Sequence, residues 1–120
     1  MKYMLLIYTN PGNTEPPSEA EQEKVFAEVD AIMAELMESG EWIGGEALAD
    51  ASQGKTIRVR DGVAAVTDGP FLETKEQFAG YCLFEVASLE RALDIAARWP
   101  DARNQGVELR PLMTDNGTEM

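Results

Sequence analysis

The first strand limits the possible folds more tightly than any other part of the chain. Tyr3, Leu5 and Ile7 alternate with Met4, Leu6 and Tyr8, so an extended backbone here is apolar on both sides. A strand of that kind needs cover on both faces. It is too short to cross a membrane, which takes about 18 or more consecutive apolar residues. Thr9-Asn10-Pro11-Gly12 closes it as a turn, without the small-residue site that a cleaved leader carries. A buried first strand is the expectation.

Downstream, Ser18 and Glu21 have the spacing of a capping box. A helix follows in which Val25, Phe26, Val29, Ile32, Met33, Leu36 and Met37 recur at three- and four-residue steps, and Gly40 closes it. Short extended segments come next: Trp42-Ile43, Gly44 to Leu48, and Thr56 to Arg60, with Arg58 and Arg60 on one side. Asp61-Gly62 marks a tight hairpin into a return strand from Val63 to Thr67. A strand from Phe78 to Val86 is read with Phe78, Gly80, Cys82, Phe84 and Val86 on one side. Ser88 caps a second helix presenting Leu89, Ala92, Leu93, Ala96 and Trp99, stopped by Pro100. Val107 to Leu112 is the last strand. With 120 residues, 44% of them hydrophobic, the chain suits one domain with a real core, expected over residues 1–113 with a polar tail at 114–120.

Strand, helix, strands, helix, strand is an α+β order of the ferredoxin-like sandwich kind: an antiparallel sheet with two helices on one face. The second side of the first strand is then uncovered. A homodimer packing sheet against sheet is expected to cover it, the alternative being a long loop of the same chain.

Asp68-Gly69-Pro70-Phe71-Leu72-Glu73-Thr74-Lys75-Glu76 places a stiff corner at a strand end, since Pro70 fixes its own φ and pushes Gly69 away from helical geometry. This segment, with Gly80-Tyr81, the opening Met1 to Ile7, Gly44 to Leu48 and the closing Val107-Glu108-Leu109-Arg110-Pro111, resembles the YCII-related proteins of the DGPF type. The resemblance implies a small bacterial protein that dimerises as an α+β barrel. It also implies an association, common in that type, with extracytoplasmic-function sigma factors. Some YCII-related proteins look like enzymes built on a histidine and aspartate pair, and the motif match makes Asp68 this chain's aspartate. No histidine is present, so imidazole acid/base chemistry is excluded.

The groups left for catalysis are Asp68, Tyr81 and Arg110, with Glu73 and Lys75 as substrate-binding residues. A strand-end carboxylate can serve as a base, Tyr81 as a proton donor, and Arg110 as the partner of an anion. The plain alternative has Asp68 bonding the amides of the Gly69-Pro70 turn, Phe71 anchoring the loop, and Arg110 pairing with Glu108, Glu46 or Glu85. Twenty-two acids against ten bases give a net charge of −12, which repels nucleic acid and anionic membrane surfaces. The single cysteine, Cys82, forms no intrachain disulfide, suits the cytoplasm and reads as a buried thiol. Gly44-Gly45 belongs to no nucleotide-binding pattern and reads as a bulge or tight bend. Neither a cofactor fingerprint nor a Cys/His metal set is present, and a small-molecule ligand is the expected partner besides the second copy.

Overall fold

The structure, a computed structural model, describes residues 1–10, 17–71 and 74–113. Strands β1 (Lys2–Thr9), β2 (Trp42–Ala47), β5 (Gln77–Glu85) and β6 (Val107–Pro111) form one sheet in the order β2-β5-β1-β6, every pair antiparallel. Strands β3 (Lys55–Arg60) and β4 (Val63–Asp68) form a separate hairpin. With the hairpin set aside, the main sheet and helices α1 (Glu19–Ser39) and α2 (Leu89–Arg98) follow the order and strand arrangement of a ferredoxin-like α+β fold.

Both helices start and stop where their termini are chemically satisfied. Ser18 Oγ accepts the Glu21 N–H at 3.2 Å, and Ser88 Oγ accepts the Arg91 N–H at 3.1 Å. Gly40 ends α1 in the left-handed region, φ 81°, with its N–H directed to the last carbonyls of the helix. Pro100 breaks α2, but a four-residue helix, α3 (Asp101–Asn104), follows directly before β6.

β1 lies between β5 and β6, with Leu5 opposite Cys82 and Leu109. On that face Tyr3, Leu5, Cys82 and Phe84 pack against Ile32 and Leu36 of α1 and Ala92, Ile95 and Ala96 of α2. Two expected faces need correction. On α2 the buried side is Ala92, Ile95, Ala96 and Trp99, whereas Leu89 and Leu93 are exposed. Those two sit at the edge of the helical stripe, where no second layer reaches them. On α1, Phe26 and Met37 are likewise exposed.

Phe78 is the larger correction. Ile7 pairs with Gly80 but Tyr8 pairs with Phe78, so Ala79 is an extra residue in β5. A one-residue bulge reverses the facing of everything beyond it. Phe78 therefore leaves the helix side and meets Tyr8 edge-to-face, with ring centroids 5.8 Å apart. Gly44-Gly45 accompanies a second register shift, between β2 and β5. A Cβ on Gly45 would lie 2.6 Å from the Tyr81 carbonyl oxygen, and one on Gly80 would lie 2.9 Å from that of Glu46. Only glycine permits this approach of the two backbones.

Arginines join the helices along their outer edge. Arg98 takes both Glu35 oxygens at 2.8 and 3.0 Å, while Arg91 takes both Glu41 oxygens at 2.8 and 3.0 Å and reaches Glu35 at 3.2 Å. These charge-assisted bonds, Arg98 foremost, hold the Glu35 carboxyl at about 2 rather than 4.5. Met4, Leu6 and Leu83 on the opposite sheet face are only half-buried. The β3–β4 hairpin projects with Ile57, Val59 and Val66 exposed on one side, Arg58 and Arg60 being on the other. The molecule measures 49 × 45 × 19 Å, with a radius of gyration of 16.7 Å. A compact chain of this length would have about 13–14 Å.

Two outcomes test this packing. Phe84, fully buried at the centre of the core, should cost about 3–5 kcal/mol on replacement by alanine, read as a lower urea midpoint. Glu35 binds its proton more weakly when folded, so its stabilisation is complete above pH 4.5 and disappears as pH falls toward 2. Wild type should therefore lose stability more steeply than Glu35→Gln across that window; parallel curves would contradict the assignment.

Candidate functional site

The Asp68 corner is fixed from the hairpin's base. Gly69 turns the chain at φ 99°, its N–H donates to the Gly54 carbonyl at 2.9 Å, and its carbonyl accepts the hydroxyl of buried Thr56 at 3.0 Å. Asp50 organises the segment facing it: its carboxylate accepts the Ser52 N–H at 3.0 Å and the Ser52 hydroxyl. Those bonds, the hydroxyl's first, draw the Asp50 carboxyl below the usual range.

Between this segment, the corner and the far ends of β1 and β5 lies a cavity of about 790 Å³. Tyr8, Phe78, Phe71, Leu48 and Pro70 make it largely apolar, and Asp50, Lys55, Thr74, Glu76 and Gln77 add polar groups. Such a lining, mostly apolar with a few convergent polar groups, is that of a small-molecule pocket. A second hollow of about 640 Å³ borders the same corner, lined by Asp68, Ser52 and residues shared with the first.

The predicted residues are distributed as follows. Asp68 borders the smaller hollow, its side chain 82% exposed and ion-paired with Lys55, its cross-strand neighbour. Among the described residues it accepts nothing from the turn amides. Tyr81 faces Leu6 across β1, and Arg110 faces Met4, both on the side of the sheet away from the helices. They line neither of the two cavities at the corner. Among the described residues Arg110 makes no ion pair with Glu46, Glu85 or Glu108. Lys75 is exposed and also lines neither; Glu73, like the tail at 114–120, lies outside the described residues. Phe71 is exposed, with the Arg58 guanidinium 4.6 Å above its ring.

Tyr8, Asp50, Lys55 and Phe78 were absent from the expected set. Tyr8 had a signal, because it continues the parity of Met4 and Leu6 on the uncovered face. Its hydroxyl donates to Glu108 Oε1 at 2.9 Å. Burial first, then that hydrogen bond and the Glu108 charge, raise the phenol above its ordinary value of 10.0, with Arg110 acting in the opposite direction. Tyr8 is thus a protonated donor at neutral pH. The open face and the cavity share this residue, and Arg110 acts on it electrostatically. Among the described residues, no group of three or more acids and cysteine gathers in a metal-binding arrangement.

A sequence profile of the YCII-related domain matches residues 1–115. The chain belongs to the YCII-related family. An uncharacterized protein of Rhizobium meliloti (strain 1021) is 35% identical over 114 residues, which cover 93% of this chain and 92% of that protein. Family membership thus extends over the whole α+β unit, the Asp68 corner and the hairpin included. In this YCII-related chain, replacing Glu108 by glutamine should lower the Tyr8 titration midpoint, because a negative charge and a strong acceptor are lost. Ultraviolet difference titration against Tyr8→Phe isolates that tyrosine; an unchanged midpoint would contradict the Tyr8–Glu108 pairing.

Proposed function

We propose that this protein binds, and acts on, a small molecule in the cavity between Tyr8, Phe78 and the Asp68-Gly69-Pro70-Phe71 corner, as a homodimer of the DGPF type in the bacterial cytoplasm. The observation that carries this reading is the cavity of about 790 Å³, apolar on its walls and supplied with Asp50, Lys55, Thr74, Glu76 and Gln77. It opens at one end of a sheet face whose Met4, Leu6 and Leu83 are only half-buried.

A second copy laid sheet against sheet would cover those side chains and exclude water from the Tyr8 end, forming an α+β barrel. Tyr81 and Arg110 then become interior groups, beside Tyr8 and Glu108. In this arrangement Asp68 is the base, buffered by Lys55 until substrate displaces the lysine. Tyr81 is the proton donor, and Arg110 stabilises negative charge on the substrate. Glu73 and Lys75, on either side of Thr74, are substrate-binding groups. The exposed apolar side of the β3–β4 hairpin favours a second reading, an accessory role in contact with a sigma factor. Co-purification of a sigma factor with the wild type, lost on Ile57→Asp, would support that reading.

Thermal-shift screening against small organic acids, amines and aromatic metabolites tests the first reading. Compounds that raise the wild-type Tm by several degrees should fail with Gln77→Trp, which fills the cavity, and bind more weakly to Asp68→Asn. Asp68→Asn itself should leave the ligand-free Tm nearly unchanged, since its partner among the described residues is one exposed lysine. A large drop in that Tm would assign Asp68 to holding the corner, and ligands indifferent to both variants would overturn the site.

A further inference from the structure

The Ala79 bulge has an effect on the helix side of the sheet as well. It takes Phe78 off that face, and the floor beneath α1 is left with Gly45, Ala79 and Gly80, the smallest residues available. The two glycines are imposed by the close approach of β2 and β5, so no larger side chain fills the space. The result is a hollow of about 500 Å³ on the opposite face from the cavity at the corner.

Trp42, Trp99 and Phe26 line it beside Ile7, Val29 and Met33. Gly45 lets the Trp42 indole approach the strand closely, since a Cβ there would be 3.1 Å from that ring. Among the described residues no lysine or arginine lines the hollow, and its acids are Glu46 and Asp101. Glu46 pairs with Tyr81 on β5 and so shares the opposite side of the sheet. Asp101 is left as the charged side chain of the hollow. It is half-buried and has no ion-pair partner among the described residues. Burial raises its carboxyl above the ordinary range, while burial and then the Asp101 charge push the neighbouring Cys82 thiol up to about 12. A carboxylate without a counter-charge in a hollow that two tryptophans also line is half of a cation site.

We infer that this hollow binds a small organic ammonium ion, its alkyl groups against Trp42 and Trp99 and its charge paired with Asp101. The chain's net charge of −12 favours the approach of cations. A quaternary ammonium fits better than a metal ion, which needs several oxygen ligands where the hollow offers one carboxylate. This inference is independent of the proposed activity at the corner.

Trp42 and Trp99 are the only tryptophans in the chain, so intrinsic fluorescence reports on this hollow alone. The full-length protein should be titrated with choline and with 3,3-dimethyl-1-butanol, which has the same shape without the charge. Choline should give a saturable fluorescence change, with affinity about tenfold lower for the alcohol and for Asp101→Asn. Equal affinity for the two compounds, or an unchanged response in a folded Asp101→Asn, would overturn the inference and leave an apolar crevice. No saturable change with choline would overturn it as well. Should Asp101→Asn fail to fold, Ala79→Leu provides the test, since filling the floor must abolish the choline response; a retained response refutes the site.

Discussion

β1 is apolar on both sides and occupies an interior position in a four-stranded sheet against which, among the described residues, the helices pack on one side. The rest of the structure depends on that imbalance. Tyr3 and Leu5 nucleate the core with Phe84, Leu36 and Ile95, while Met4 and Leu6 face outward with Leu83 and Tyr81. Burying the first set provides a large part of the folding free energy, at roughly 25 cal/mol per Å² of apolar surface. The second set has no counterpart in the same chain among the described residues, and the projecting hairpin adds Ile57, Val59 and Val66 to the uncovered surface.

A single extra residue then determines where the hollows form. Because Ala79 has no partner on β1, Phe78 crosses to the open face and joins Tyr8 as a wall of the corner cavity. The space it vacates on the helix side becomes the hollow between Trp42, Trp99 and Asp101. Bulges are found where a strand must redirect a side chain, and this one redirects an aromatic ring from core to cavity. The Gly45 and Gly80 contacts hold β2 against β5 at the same level.

Much of this was legible from the residues alone. Ser18, Gly40 and Ser88 marked helix ends because capping is local chemistry, and family resemblance over the whole chain indicated the fold. The Asp61-Gly62 turn, with φ of 52° and 76°, fixes the hairpin register and so brings Lys55 opposite Asp68. The displaced Phe78 was not legible, because alternation assumes an unbroken register and alanine carries no mark of a bulge. Nor was the corner cavity, whose walls come from segments far apart in sequence. Asp68 was rightly placed at a strand end, but the lysine that takes its charge lies across the hairpin, where a turn-capping account does not look. Tyr81 and Arg110 do share one sheet face. Their separation from the corner follows from β5 and β6 belonging to one sheet and β4 to another, which strand patterns alone do not specify.

Sedimentation equilibrium of the full-length chain tests the central claim, that a second copy covers the open face. A chain of 13.2 kDa should sediment as a species of twice that mass at micromolar concentration and fall to the single mass when Leu6 and Leu83 are both replaced by glutamate. A wild-type protein that stays at 13.2 kDa up to about 0.1 mM, far above the dissociation constants usual for stable dimers, would contradict it.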